Sequence, residues 1–148
     1  MPSRSGDIER PTARDERRTR LARVGLVLGG LVVAVFLLSP SAALPSSTVG
    51  WVADLAHAVG VPESVATGRR VEFALNALAI APLAFLGLWA FPETTWRDWT
   101  AYGFVASLSV ETVQFAFLVG RSAQVEDVVA NTAGAFVGAV LGWSSRQG

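Results

Sequence analysis

Four apolar stretches are the feature that most limits how this chain can fold. They are residues 21–44, 73–91, 101–119 and 128–143, and the strongest part of the first reads VGLVLGGLVVAVFLL. Each approaches the roughly 20 helical residues that cross a hydrocarbon core of about 30 Å. Because lipid offers no hydrogen-bond partners, each stretch must satisfy its own backbone groups, which favours helices over strands. The sequence therefore predicts an all-α integral membrane bundle of four transmembrane helices.

The composition supports this class of protein and excludes several kinds of chemistry. Of the 148 residues, 51% are hydrophobic and 16% are charged, a balance typical of membrane proteins. The length leaves no room for a separate soluble enzyme domain beside the spans. The sequence has no cysteine and no lysine, so it offers no disulfide, thiolate or lysine nucleophile. It contains no cofactor-binding motif and no recognisable metal motif, although a divalent cation held by Glu72, Glu111 and Asp127 stays open.

The distribution of arginine predicts how the chain is oriented in the plasma membrane. Residues 1–20 are interpreted as a disordered basic tail ahead of a transmembrane domain over residues 21–148. Because residues 1–23 hold seven of the twelve arginines, the positive-inside rule places both termini in the cytoplasm. Four tryptophans would then lie at the inner interface, namely Trp89, Trp96, Trp99 and Trp143. The alternative is a signal peptide cleaved after Ala43.

Between the first two spans, the longest outer segment is predicted to form a short interfacial helix. Ser47 or Thr48 would cap its N-terminus, and Gly60 with Pro62 would end it. Its apolar face, suited to the surface of the outer leaflet, consists of Trp51, Val52, Leu55 and Val59. His57, the only histidine, falls on or near the polar side and is interpreted as solvated rather than catalytic.

Polar side chains collect at the outer ends of the last three spans. The predicted topology places five charged residues together at the outer rim, namely Arg69, Glu72, Arg121, Glu126 and Asp127. Asn76 lies four residues after Glu72 and therefore on the same helix face. Asn131 stands in the same relation to Asp127, and Gln114 reaches a similar depth from the third span. Three carboxamides are thus predicted to form one layer beneath the charged rim.

Glu111 lies deeper, near the middle of the third span, where an ionised side chain needs a partner or water. Because ionisable residues inside a membrane usually mark function, we interpret the whole set as a ligand site. The predicted ligand-binding residues are Arg69, Glu72, Asn76, Gln114, Arg121, Asp127 and Asn131, and the candidates for catalysis are Glu111, Arg121 and Asp127. The alternative is that ion pairs and amide hydrogen bonds only fix the helix register. Arg70 could instead reach lipid phosphate, and Glu126 could face water.

Two features of the spans favour a polar pocket and close helix packing. Pro82 removes the usual hydrogen-bond donor for the Leu78 carbonyl and predicts a kink that opens space in the second span. Gly134, Gly138 and Gly142 recur every four residues, which predicts a smooth ridge where another helix approaches closely.

Three stretches combine acids, amides and glycines in a recognisable order: EFALNALAIAPLAFL, SLSVETVQF and GRSAQVEDVVANTAGAFVGAVLG. They resemble the signature stretches of the VanZ-like family of small bacterial membrane proteins. The matching positions are Glu72, Asn76 and Pro82, then Ser107, Glu111 and Gln114, then Arg121, Asp127, Asn131 and Gly134. The resemblance covers about residues 70–142 and departs at Ala84, where the family usually has glycine.

The resemblance implies a cell-envelope protein connected with low-level resistance to the glycopeptide teicoplanin, and it implies no reaction. The first hypothesis is a non-enzymatic protein whose outward-facing site binds a lipid-linked precursor, a lipid head group or a glycopeptide. The second is a membrane enzyme acting on a lipid phosphate, with Arg69 and Arg121 holding the anion and Asp127 or Glu111 as acid or base. Few spans argue against a transporter, and acids in the tail argue against nucleic-acid binding. Association between copies of the chain stays open.

Overall fold

The computed structural model describes residues 12–37, 43–117 and 124–148. It consists of five helices: α1 (Ala13–Leu37), α2 (Ala43–Ala58), α3 (Gly68–Ala90), α4 (Trp96–Phe117) and α5 (Val125–Gln147). These described residues contain no strand, which confirms the all-α prediction. Among them, α1, α3 and α5 are long and apolar enough to cross a membrane. The third predicted span corresponds to α4, whose mean hydropathy is lowered by Arg97, Asp98 and Glu111.

Helix α1 begins earlier than the sequence predicted. The disordered tail was expected to extend to residue 20, but the helix is already formed at Ala13. Thr12 explains the difference, because its hydroxyl lies 2.6 Å from Asp15 Oδ2 and 3.3 Å from the Asp15 backbone nitrogen. This reciprocal capping satisfies donors at the helix start, and the acidic residues Asp15 and Glu16 suit the positive end of the helix dipole. Residues 1–11 lie outside the described part of the chain.

Helix α2 also begins before its predicted start. Ser47 and Thr48 were expected to cap it, yet both lie inside a helix that starts at Ala43. Pro45 falls in the first turn, where its missing N–H costs no intrahelical bond. The predicted end is closer to the structure, since α2 ends at Ala58 and Gly60 follows with a positive φ of 91°.

Helices α3 and α5 run parallel and form the centre of the bundle. A Cβ atom at Gly134 would overlap the backbone of Ala77, and one at Gly138 would overlap the backbone of Ala81. Gly142 continues the same contact one turn later. The predicted glycine ridge is therefore confirmed, because the two backbones approach so closely that only hydrogen fits between them.

The remaining long helices flank this central pair and run antiparallel to it. Helix α4 lies against α5, with Gly103 packed on Ala135, and α1 lies against α3. A Cβ atom at Gly25 of α1 would stand 3.2 Å from Leu86 Cδ1. The fold therefore brings the starts of α1 and α4 to the same end of the bundle as the ends of α3 and α5.

We call that end the arginine–tryptophan end, after Arg23, Arg146, Trp89 and Trp99. We call the opposite one the acidic end, after Glu72, Glu111 and Asp127. The apolar core lies towards the arginine–tryptophan end and consists of Ala84, Leu88, Ala135 and Ala139, covered by Ile80, Trp96, Trp99 and Trp143. Ala84, where the resembled family usually has glycine, is only 2% exposed in this core.

Arginines bind the backbone at the arginine–tryptophan end. The last turn of α3 leaves carbonyl groups without intrahelical partners. Arg23 Nε donates to the Ala90 carbonyl at 2.9 Å, and Arg146 Nη1 donates to the Leu88 carbonyl at 2.9 Å. The guanidinium of Arg146 also lies 5.7 Å from the centre of the Trp143 ring. These contacts tie α1 and α5 to the end of α3.

Candidate ligand cavity at the acidic end

All five helices contribute to a cavity of about 280 Å³ at the acidic end, which we call the polar cavity. Six polar side chains from three helices line it: Glu72 and Asn76 on α3, Glu111 and Gln114 on α4, and Asp127 and Asn131 on α5. The rest of the wall consists of apolar residues of α1, α3 and α4, together with Thr48 and Val49 of α2. The structure therefore brings together six of the residues singled out in the sequence.

The parallel packing of α3 and α5 explains why two of these pairs meet. Glu72 and Asn76 are four residues apart on one face of α3, and Asp127 and Asn131 are four apart on the facing side of α5. The Asn76 side-chain amide donates to Asp127 Oδ1 at 2.8 Å. Both residues are half-buried, so this bond joins the two helices at the edge of the cavity.

Glu111 has a partner that the sequence did not indicate. Its side chain is 6% exposed, and its Oε2 accepts a hydrogen bond of 2.8 Å from the backbone N–H of Gln124. Gln124 is the N-cap residue of α5, so the carboxylate lies against the positive end of that helix. Helix α5 begins deeper in the bundle than the level at which α4 ends, so its positive end reaches Glu111. This contact stabilises an acid that the sequence placed near the middle of a span.

Asn131 is the most buried amide of the cavity and retains an unpaired atom. The residue is 4% exposed, and its side-chain amide donates to Ser107 Oγ at 2.9 Å. Its carbonyl oxygen Oδ1 is buried and has no hydrogen-bond partner among the described residues. Leaving a buried acceptor unsatisfied costs about 1–3 kcal/mol. A donor group entering the polar cavity would remove that cost.

A second pocket, which we call the rim pocket, lies outside the polar cavity and has a volume of about 220 Å³. Arg69, Arg70 and Glu126 line it, and it shares Glu72 and Asp127 with the polar cavity. The Arg69 side chain is 84% exposed and its Nη1 lies 3.9 Å from Glu126 Oε1. An ion pair so open to solvent contributes little to stability.

Of the charged residues that the sequence placed at the outer rim, Arg69 and Glu126 lie at the edge of the site. Arg69 and Glu126 belong to the rim pocket and do not line the polar cavity. Arg70 Nη1 donates to the Ser64 carbonyl at 2.8 Å, so it holds the segment that precedes α3. Arg121 lies outside the described residues.

A third space, which we call the apolar cavity, has a volume of about 260 Å³ and lies between α1 and α4. The sequence did not indicate it, because its walls depend on which helices pack against α3 and α5. Ser107, which the family resemblance matched but the sequence did not assign to the site, lines this cavity and accepts a hydrogen bond from Asn131. Its spacing could have indicated this position, since it lies four residues before Glu111 on the same helix face. Pro82, expected to open a polar pocket, is exposed and lines none of the three spaces.

Within residues 12–37, 43–117 and 124–148, no group of three acidic or histidine side chains is arranged to hold a metal ion. The three carboxylates of the polar cavity come from three different helices. The arrangement can therefore accept hydrogen bonds from several directions, and its carboxamides can also donate them.

The fold and the cavity define a small helical protein of membrane type with a polar pocket at one end of the bundle. The sequence profile of the VanZ/LLP1 family matches residues 24–146. The chain therefore belongs to the VanZ/LLP1 family. The match includes residues 24–37 of α1 as well as the three signature stretches. Searches of curated proteins and of solved structures give no significant match.

Proposed function

We propose that this protein is a cell-envelope membrane protein whose polar cavity binds the head group of a lipid or of a lipid-linked precursor. One observation carries the proposal: six polar side chains from three helices line a single cavity in which the buried Asn131 carbonyl lacks a partner. Polar groups that served only to fix helix register would be expected to pair with one another. Here Asn76 pairs with Asp127, while the Asn131 carbonyl is left for a ligand.

The chemistry of the lining favours a head group rich in hydrogen-bond donors. Glu72, Glu111 and Asp127 supply carboxylate oxygens, and three carboxamides supply further acceptors. None of the described residues of this lining is cationic. Hydroxyl groups of a sugar or of glycerol, or an ammonium group, would suit this lining better than a bare phosphate.

The size of the cavity supports a head group rather than a larger ligand. About 280 Å³ lies just below the range of roughly 300–1,000 Å³ that ligand sites occupy. A complete glycopeptide does not fit such a volume. We expect any effect on teicoplanin susceptibility to act through the lipid or precursor that is bound.

The proposal includes an arrangement of the chain in the plasma membrane. Helix α4 crosses the bilayer beside α5 as a fourth span, α2 lies at the outer interface, and both termini are cytoplasmic. The clustering of arginine and tryptophan at one end of the bundle supports a cytoplasmic position for that end. The polar cavity then opens outward, and residues 21–148 form the transmembrane domain behind a tail of residues 1–20.

The enzymatic alternative has less support. It needs cations that hold a lipid phosphate beside Glu111 or Asp127. Arg69 does not line the polar cavity, and Arg121, the other cation assigned to this role, lies outside the described residues. Both remain ligand candidates on the sequence alone.

Lipid retention tests the proposal. The protein would be reconstituted in nanodiscs containing phosphatidylethanolamine, phosphatidylglycerol and a glycolipid, and released for native mass spectrometry. Asp127→Asn keeps a carbonyl oxygen that can accept from Asn76, so the bundle should still fold. Loss of a charge-assisted hydrogen bond is expected to reduce retention of the preferred lipid by about tenfold.

Glu93→Gln is the matched control, because it removes the same charge from an exposed residue next to the arginine–tryptophan end. It should retain lipid like the unmodified protein. Equal retention of every lipid by both variants would overturn the proposed binding function. A mass change in the bound lipid would instead favour the enzymatic alternative.

Cysteine labelling tests the arrangement in the membrane, since the chain has no cysteine of its own. With four spans, a membrane-impermeant maleimide should label Glu63→Cys and Gln124→Cys from outside the cell. Glu93→Cys should react only after permeabilisation. Labelling of Gln124→Cys only from the cytoplasmic side would show that α4 does not cross the bilayer.

A further inference from the structure

We infer that the polar and apolar cavities hold one membrane lipid, with its head group in the polar cavity and one acyl chain in the apolar cavity between α1 and α4. The inference rests on the proposed head-group binding and deepens it. It states that the ligand is held by its chain inside the bundle as well as by its head group.

The polar and apolar cavities adjoin. They share Val33 of α1, Val110 of α4 and Asn131 of α5 as lining residues. On α3 the polar cavity is lined from Glu72 to Ala79, and the apolar cavity continues from Ile80. The lining passes from one cavity to the other in the same direction on the other long helices, so the apolar cavity extends the polar one towards the arginine–tryptophan end.

The apolar cavity is about as long as one leaflet of a bilayer is thick. Its lining on α4 extends from Trp99 to Val110, which corresponds to about 16 Å along a helix. One leaflet of a bilayer has a hydrocarbon thickness of about 15 Å, half of the full core. The apolar cavity, which we also call the slot, therefore has the length of one acyl chain whose head group lies at the level of the polar cavity.

The apolar cavity offers few polar partners, since Trp99, Tyr102, Ser107 and Asn131 are the only residues with polar side chains in its described lining. The Asn131 side-chain amide donates to the Ser107 hydroxyl, and the Trp99 indole N–H donates to Thr94 Oγ1 at 2.8 Å, so these two donors are engaged within the protein. An ordered water needs two to four polar partners. Hydrocarbon is the occupant that such walls and a surrounding bilayer favour.

The unpaired Asn131 carbonyl lies in a residue that borders both cavities. Because the ester groups that join head group and chain only accept hydrogen bonds, the partner of this carbonyl must be a donor of the head group, such as the ammonium of phosphatidylethanolamine. Asn131 would therefore accept a hydrogen bond from the head group, beside the carboxylates of the polar cavity.

Gly30 provides a way to fill the slot without disturbing the packing. It lines the apolar cavity, and a Cβ atom placed on it would meet nothing within 4 Å. Gly30→Phe would put a ring into the slot. Val27→Phe is its control, because Val27 is 61% exposed on the same helix and does not line either cavity.

The experiment uses bilayers of phosphatidylethanolamine and phosphatidylglycerol that contain a small fraction of phosphatidylethanolamine with a diazirine in the middle of one acyl chain. After illumination, cross-linked residues are mapped by mass spectrometry in the unmodified protein, Gly30→Phe, Val27→Phe and Asp127→Asn. We expect cross-links concentrated on the slot residues, from Tyr102 to Ala106 and near Ala34. Gly30→Phe should reduce them by about tenfold, and Val27→Phe should leave them unchanged.

The outcomes separate this inference from the proposed function. Cross-links spread evenly over the exposed faces and unaffected by Gly30→Phe, with retention still lost in Asp127→Asn, would overturn the chain slot and keep head-group binding. Even cross-links with unchanged retention in Asp127→Asn would overturn both. Cross-links on the slot residues that are lost in Gly30→Phe and in Asp127→Asn, but kept in Val27→Phe, would support the bound lipid as described.

Discussion

The two ends of the bundle use polar groups in opposite ways. At the arginine–tryptophan end, Leu88 and Ala90 are 0% exposed, and arginine side chains bind their carbonyl oxygens. At the acidic end, Glu72 and Asp127 are only half-buried and surround a cavity. The buried Asn131 carbonyl there has no partner among the described residues.

This difference separates a stabilising role from a binding role. Arginines that satisfy backbone carbonyls within the protein remove the cost of burying those carbonyls. Carboxylates and amides arranged around a cavity leave part of their hydrogen-bonding capacity to another molecule. Substitutions at the arginine–tryptophan end should therefore lower the stability of the fold. Conservative substitutions at the acidic end should lower ligand binding.

The largest effect is expected at the close contact between α3 and α5, which both ends of the bundle share. Gly138→Leu would force a side chain into the backbone of Ala81, which cannot move away without separating α3 from α5. We expect no folded monomer in detergent, as measured by size-exclusion chromatography and circular dichroism. Gly30→Ala is the control, because its added methyl group meets nothing within 4 Å. A folded Gly138→Leu protein would mean that the glycine ridge is not a close contact.

The next effect compares a leucine from each end. Leu88→Ala should lower the free energy of unfolding by about 3 kcal/mol, because Leu88 is 0% exposed in the core. Leu75→Ala should cost about 1 kcal/mol, because Leu75 is half-buried beside the polar cavity and loses fewer contacts. Thermal unfolding in detergent measures both. Equal losses would remove the distinction between a packed end and an open end.

A smaller effect concerns the arginine that binds the end of α3. Arg146→Gln should lower the free energy of unfolding by about 1–2 kcal/mol, because the Leu88 carbonyl loses a charged donor. Arg97→Gln serves as the control, since Arg97 is exposed and lies over its neighbour Trp96. If both variants unfold at the same temperature as the unmodified protein, arginine does not stabilise this end.

The smallest effect is expected at the rim pocket. Arg69→Gln should change the free energy of unfolding by less than about 0.5 kcal/mol, because its ion pair with Glu126 is exposed. Lipid retention in nanodiscs should also stay the same, since Arg69 does not line the polar cavity. A marked loss of lipid retention would show that the binding site extends outward to the rim pocket, and it would favour a ligand with a phosphate group.

Local features of the sequence were sufficient to predict the long helices and the six polar side chains of the polar cavity. The length of the apolar stretches predicts the long helices. A spacing of four residues places Asn76 on the same helix face as Glu72, and Asn131 on the same helix face as Asp127. The glycine ridge could also be predicted from the sequence, because Gly134 and Gly138 are four residues apart as well.

Features that depend on how helices pack could not be predicted from local spacing. The partner of Glu111 is the backbone of Gln124, and this contact requires α5 to begin at the depth of Glu111. The slot beside Gly30 exists because α1 packs on α3 while α4 packs on α5, which leaves a space between α1 and α4. Register and depth between helices arise from the whole packing, so Asn131 could be predicted as polar and buried but not as bordering two cavities.

The most direct measurement is a crystal structure of the unmodified protein grown from a lipidic mesophase that contains added phosphatidylethanolamine. The account predicts head-group density within hydrogen-bond distance of the Asp127 and Asn131 side chains, and chain density beside Gly30. A polar cavity closed by the side chains of Asn76 and Gln114, with lipid only on the outer faces of the helices, would contradict it.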